Sequence, residues 1–227
     1  MNTPAHVVLN LLCLGRRDEG PFIAPVILGA ILPDAPMFVF YFVEKVLRNT
    51  PESIIWSKSY FDPHWQNFID LFNSVPLILI GLMVSLWGRS PFGTLLFASM
   101  LLHIAGDLPL HNDDAHRHFF PFSDWRFHSP VSYWDPRYYG NVVSVIEISA
   151  VIISSFLLFN GYETWLGRGA IATTGLLYLA YFGYIFAVWI LSFGGDGAER
   201  SPVFFFSLAQ FGKFGLKPRL NPDGPNA

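Results

Sequence analysis

The chain has 227 residues, 52% of them apolar and 17% aromatic, yet Asp, Glu, Lys and Arg together make up only 14%, against roughly 25% in a typical soluble domain. A 25.6 kDa globule with a mean hydropathy of +0.39 has too little charge to cover its surface, and the single cysteine, Cys13, excludes a disulfide-stapled fold. A net charge of −3 and a pI of about 6.1 argue against nucleic acid as a partner.

Met1 to Gly15 lacks a basic leader and a small-residue cleavage site, so it reads as a short helix rather than a cleaved signal. Thr3 is placed to cap it, Pro4 to hold its first position and Gly15 to end it in the left-handed conformation. A second short helix is predicted from Phe22 to Leu32, where Pro33 closes it. At about 11 residues, each falls short of the roughly 20 that a membrane span needs. Antiparallel pairing of the two puts His6 and Asp34 at the same end. Ala35 to Arg48 runs from apolar to charged, and a polar loop is expected to about Asp62. Leu71 to Trp87 and Pro91 to Gly106 are charge-free runs joined by Gly88-Arg89-Ser90, and they predict an antiparallel helical hairpin in the bilayer.

Residues 111 to 140 form the longest polar connection. Asn141 to Phe159 is a run of 19 residues broken only by Glu147, and Gly169 to Phe193 is a run of 25 without a charge. Both meet the length for a span. Residues 194 to 227 are rich in Gly and Pro and are expected to be a loosely ordered tail. The fold class that follows is all-α. It is a polytopic membrane helical bundle with a short N-terminal helical hairpin, one membrane-embedded domain over residues 1–193, followed by the tail. Only helices or closed barrels satisfy their backbone in lipid, and no period-2 alternation is present.

The sharpest local signal is His103-Ile-Ala-Gly-Asp107, at the end of an apolar helix. Residues four apart share a helical face, so imidazole and carboxylate converge on one point, a pairing suited to zinc or a similar divalent cation. A simple His–Asp hydrogen bond is the competing reading. Leu110 to His118 then adds three histidines, His111, His116 and His118, and two carboxylates, Asp113 and Asp114. Pro109 turns His111 off the helix and back toward the pair; alternatively, Asp113 or Asp114 caps a short helix through His118.

His6 and His64 each follow a cap residue and a proline, Thr3-Pro4 and Asp62-Pro63. A first-turn position disfavours imidazolium and leaves a neutral ring able to bind metal; ordinary first-turn polarity is the alternative. Asp34 is the one charged residue between Gly20 and Val43, and such a carboxylate must be paired, coordinated or neutralised. It can also cap the helix entering at Ala35-Pro36. Glu147 poses the same problem, with metal, a proton, Arg126 or Arg137 as partners. The loop from Phe122 to Gly140 is rich in Trp, Tyr and Arg, which suits an interfacial belt. Its Arg126 and Arg137, with Arg117, can also clamp a phosphate.

Four motifs occur in a particular order: Ala5-His6-Val-Val-Leu, Ala30-Ile-Leu-Pro-Asp34, Leu102-His103-Ile-Ala-Gly-Asp107 and Trp125-Arg126-Phe127. Together they resemble the bacterial YdjM-like family of membrane-bound metal-dependent hydrolases and, more distantly, zinc-dependent phospholipase C. The resemblance covers about residues 1–128. It implies that His6, Asp34, His103 and Asp107 are metal ligands, with Asp107 bridging if two ions bind. The family's Thr-His-Ser is absent here; its nearest equivalents are His64 and Asn73-Ser74. A downstream H-x-x-x-E of the soluble relatives has no counterpart at Glu147, which Val143 precedes by four residues.

The expected function is that of an integral-membrane, metal-dependent hydrolase holding one or two divalent ions, zinc foremost. His6, Asp34, His64, His103, Asp107 and His111 are its candidate ligands, and His116, His118 and Arg126 its candidate catalytic residues. A phosphoester, such as a lipid headgroup, is the expected substrate and the lipid bilayer the expected surroundings. A metal or proton carrier, or a scaffold with a vestigial site, is the alternative. Ten of the 14 Lys and Arg fall on the site side of this topology, so the positive-inside rule turns the site to the cytoplasm of a bacterial inner membrane.

Overall fold

Prolines punctuate this chain where helices begin, because a missing N–H costs nothing in a helix's first turn. In the computed structural model, which describes residues 1–15, 22–163 and 165–193, helices α1 (Thr3–Leu14), α3 (Ala35–Phe42), α5 (Pro63–Phe72), α6 (Val75–Trp87) and α7 (Pro91–Asp107) all carry proline at one of their first two positions. The other helices are α2 (Ile23–Ile31), α4 (Glu52–Ser57), α8 (Gly140–Phe159) and α9 (Trp165–Phe193). No strand occurs among the described residues. The tail expected over 194–227 lies outside them.

Three stretches of the described chain are long and apolar enough to cross a membrane: Pro63–Trp87, Pro91–Leu110 and Gly140–Phe159. A fourth exists only as a broken one, α2 and Ala35–Leu47, bent by 52°. The predicted 169–193 stretch lies in α9, and the predicted central hairpin is α6 against α7, turning at Arg89 with φ 50°. Its first arm starts later than Leu71. The helix breaks after Phe72, and Ser74 caps α6 by accepting from the Leu77 N–H. The polar loop expected before Asp62 also holds structure. It contains α4 and a 3-10 turn, because Ile55 and Tyr60 are buried against Phe40 and Ile69.

Helix α1 is the centre of the packing and touches α2, α7, α8 and α9. Its Ala5, Val8 and Leu11 join Ile23 and Val26 of α2, Ile148 and Val151 of α8, and Ile171 and Tyr178 of α9 in the largest core cluster. Two expected ends of α1 are corrected. Thr3 does not cap the helix, and Gly15 ends it in an extended conformation, φ −69°. Gly15 is needed for space instead: a Cβ there would stand 1.9 Å from the Tyr162 hydroxyl.

A polar ladder ties α1, α7 and α2 together. Asn10 Nδ2 donates to the Ser99 carbonyl (2.9 Å) and Oγ (2.8 Å), and Ser99 Oγ donates to the Val26 carbonyl (2.7 Å). Between apolar helices such bonds fix depth and rotation, since slippage would strand a buried polar group. The close approach depends on Gly29, where a Cβ would meet Leu96 O at 2.3 Å and Ser99 Cβ at 2.7 Å. Gly29→Val is therefore expected to destabilise the protein by about 1–3 kcal/mol, the usual range for overpacking. Gly169→Ala, with nothing within 4 Å, should instead be neutral or stabilising by up to about 1 kcal/mol. Thermal unfolding in detergent checks both, and equal melting of Gly29→Val and wild type would refute the tight α2–α7 contact.

Candidate metal centre

The 3.6-residue period of α7 places His103 and Asp107 on one face, and the structure buries both, 0% and 3% exposed. His103 Nε2 stands 3.0 Å from Asp107 Oδ2 and 3.5 Å from Asp34 Oδ1. His6, from the first turns of α1, brings Nε2 to 2.9 Å from Asp107 Oδ1 and stacks its ring on His103, centroids 3.6 Å apart. The Met1 amino group donates to the same Asp107 Oδ1. Ligand atoms of His6, His103 and Asp107 all lie within 4.8 Å of one another.

Asp34 sits in the break between α2 and α3, and its carboxylate does not cap α3. It accepts from Thr3 Oγ1 at 2.5 Å and faces His103; Thr3 is itself the first residue of α1, with Asn2 in the cap position. The carbonyls freed by the break are satisfied from other helices: His103 Nδ1 donates to Ala30 O (2.7 Å), and Asn73 Nδ2 donates to Pro33 O (3.0 Å).

That bond at Ala30 decides the chemistry of His103. With Nδ1–H spent on a carbonyl, the neutral ring turns the Nε2 lone pair toward two carboxylates, an arrangement that repels unless a proton or a cation lies between. His103 Nε2 and His6 Nδ1 are buried without a hydrogen-bond partner. Two ligands about 2.1 Å from one ion, at angles of about 90–110°, are separated by about 3.0–3.4 Å. The separations of 2.9, 3.0 and 3.5 Å are of that size. The donor set fits a divalent cation.

After α7 the chain turns back over the site, as Pro109 predicts. Ser129 N donates to His111 O (2.9 Å), and Tyr133 N donates to Leu110 O (2.9 Å). His111 reaches to 3.6 Å from Asp107 Oδ2 and has Asp114 Oδ2 2.9 Å from its Nδ1. Asp114 caps no helix; Trp134 Nε1 donates to it at 3.1 Å. Burial alone would lower the His111 pKa, but the charges of Asp114 and Asp107 outweigh it and raise it to about 9. A bound cation must displace that proton if it is to use the ring.

Beyond His111 the imidazoles continue, His116 with its ring centroid 5.3 Å away and His118 6.1 Å further on. His116 Nδ1 lies 3.4 Å from Asp70, a fully buried carboxylate that Arg117 holds through its backbone N–H (3.2 Å) and Nε (2.5 Å). Arg126 Nη2 is 3.5 Å from Asp70 and donates to Gln66 Oε1 at 2.9 Å. Arg117 and Arg126 therefore offset a buried charge before either can clamp a phosphate, and Arg137 pairs with Asp135. Asp70 was not among the residues expected from sequence. Its signal was a lone carboxylate among Phe68, Ile69, Leu71 and Phe72, the same signal that marked Asp34.

His64 is not brought to the centre. Asp62 does cap its helix, accepting from the His64 N–H at 2.9 Å. The ring, however, is exposed and lines a separate groove with Glu44, Arg48 and Trp65. Asn73 supports the break rather than supplying a ligand. Glu147 pairs with neither arginine; its Oε1 accepts from Asn2 Nδ2 and Tyr178 OH, both at 2.7 Å, which anchors the start of α1 and so the depth of His6.

No family model, curated protein or solved structure matches the chain.

His118 provides a pH test of this region. Burial, followed by the nearby His116, lowers its pKa to about 4, while its Nδ1–H is held by Asn73 O at 3.2 Å. In the unfolded chain the ring titrates at about 6.5. The unfolded state binds more protons between these values, so the stabilisation is complete above about pH 6.5 and lost as pH falls toward 4. His118→Gln should flatten the decline of melting temperature across that window relative to wild type, and an unchanged slope would refute a buried neutral His118.

Proposed function

We propose that the protein is an integral-membrane, metal-dependent hydrolase of the kind that the YdjM-like resemblance implies, acting on a phosphoester such as a lipid headgroup. The observation that carries this reading is the His103 Nε2 atom, buried without a hydrogen bond between Asp107 and Asp34 and beside the ring of His6. A divalent ion, zinc by donor type, would supply Lewis acidity there and lower the pKa of water. His6, His103, Asp107 and Asp34 would hold it. His116, in contact range of Asp70 and next to His111, is the residue suited to hold or pass a proton at the edge of the site.

The bilayer enters through the exposed surface. α6 exposes Ile80, Met83, Val84 and Trp87, and α8 exposes Val142, Ile146, Ile153 and Phe156. Apolar faces of this extent belong against lipid rather than water. The charge tally favours a bacterial inner membrane with the loop after α7 on the cytoplasmic side.

Metal analysis and hydrolysis of bis-p-nitrophenyl phosphate and phospholipid vesicles test the reading. Wild-type protein in detergent should hold a stoichiometric divalent metal and hydrolyse one of these substrates in a chelator-sensitive way. His103→Ala and Asp107→Asn should lose both properties, and His64→Ala should keep both. A metal-free wild type would overturn the reading; bound metal with gradient-driven flux in proteoliposomes and no hydrolysis would favour a carrier. Orientation has its own check in a Cys13→Ser background with cysteine at the exposed Ser123. An impermeant thiol reagent outside intact cells should leave it unlabelled, and labelling would reverse the topology.

A further inference from the structure

The loop after α7 brings one more imidazole to the centre, and that imidazole has a carboxylate of its own. We propose that His111 is a further metal ligand and that Asp114 is the positioning residue that turns it toward Asp107. This rests on the reading of the His6–His103–Asp107 cluster as a metal centre.

His111 is 9% exposed, and neither ring nitrogen has an aligned hydrogen-bond partner. Its two nitrogens nevertheless face different neighbours. Nδ1 stands 2.9 Å from Asp114 Oδ2, and Nε2 stands 3.6 Å from Asp107 Oδ2. The first separation is a contact. The second is too long for a hydrogen bond but close to the 3.5 Å that separates His103 Nε2 from Asp34 Oδ1 across the same centre.

The local design repeats that of His103. There, Nδ1–H is fixed by the Ala30 carbonyl and Nε2 is left to the carboxylates. At His111 the Asp114 carboxylate stands beside Nδ1, so a neutral, metal-binding ring would keep its proton on that side and present Nε2 inward. An outer carboxylate on the far nitrogen of a metal-binding imidazole fixes its tautomer and raises its basicity. Asp114 is itself held. Trp134 Nε1 donates to Oδ2 at 3.1 Å, and its Oδ1 is buried without a partner. The backbone under the ring is fixed by the Ser129 N–H on His111 O and the Tyr133 N–H on Leu110 O, both 2.9 Å. The His111 side chain is thus set by Asp114 on one side and by the Tyr133 ring, 5.1 Å between centroids, on the other.

Asp113 provides the control. It precedes Asp114 in sequence but points away, 57% exposed and 3.9 Å from Arg137 Nη2. If proximity in sequence or net charge were all that mattered, the two would be equivalent.

The full-length protein in detergent, stripped of metal, is titrated with Co2+ alone, and affinity and visible spectrum are read at fixed pH. Asp114→Asn should weaken Co2+ binding by about 10–100-fold, the usual effect of losing an outer carboxylate. His111→Gln should weaken it at least as much and alter the spectrum, since a nitrogen donor is lost. Asp114→Glu should recover part of the affinity, and Asp113→Asn should match wild type. Wild-type-like affinity and spectrum in both Asp114→Asn and His111→Gln, with binding abolished in His103→Ala, would overturn this inference alone. Failure of wild type to bind Co2+ would overturn it together with the metal reading it rests on.

Discussion

A carboxylate 3% exposed at the end of an apolar helix must be compensated, and Asp107 gathers its compensation from most of the molecule. His103 comes from its own helix, His6 and the Met1 amino group from α1 and the chain before it, and His111 from the loop beyond α7. His6 and the Met1 amino group reach Asp107 only if α1 lies across α7 at one depth. The Asn10–Ser99–Val26 ladder and the closeness of Gly29 to Ser99 set that depth at one level, and Glu147, bonded to Asn2 and Tyr178, sets it at another. Packing and electrostatics are therefore one constraint here. The core positions the charges, and the charges fix the register of the core.

The break between α2 and α3 belongs to the same constraint. Ending a helix inside an apolar bundle frees carbonyls that apolar surroundings cannot satisfy. The structure meets this need with His103 at Ala30 and Asn73 at Pro33. The bond at Ala30 also sets the His103 tautomer, so capping the break and preparing Nε2 for a cation are a single interaction. This explains why Asn stands at position 73: an amide donates to the Pro33 carbonyl, and it does so 3.1 Å from the Ile69 carbonyl as well. As a ligand it would be weak; as a donor to two carbonyls it is well suited.

What was legible in the sequence follows from the range of the signals. Apolar runs and prolines are local, and they located the long helices and the two short N-terminal ones. The His103–Asp107 spacing is also local, and its convergence is real. His6 and Asp34 depend on tertiary contact and came instead from the order of motifs and from the burial cost of a lone acid. His64 shows the limit of local reasoning. Its Asp-Pro start does cap a helix, but a helix start says nothing about which way the chain approaches the core, and this one leaves the ring exposed. Asp70 carried the same lone-carboxylate signal as Asp34, yet its partners Arg117, Arg126 and His116 lie more than forty residues away in sequence. No periodicity could have paired them.

Charge balance sharpens the chemistry the centre can support. Asp34, Asp107 and Asp114 bring three negative charges into contact with His6, His103 and His111. Without metal, protons on imidazole are the available compensation, as at His111, whose pKa rises to about 9 because carboxylates outweigh burial. One divalent ion bound by neutral rings replaces two of those positive charges and leaves one unit unmet. A buried site does not tolerate that remainder well, so occupancy by one ion would call for one further positive charge nearby, whereas two ions would leave one positive unit for an anion to offset. The same balance makes the centre sensitive to any anion that enters, since added negative charge raises the proton affinity of neighbouring imidazoles and favours proton uptake.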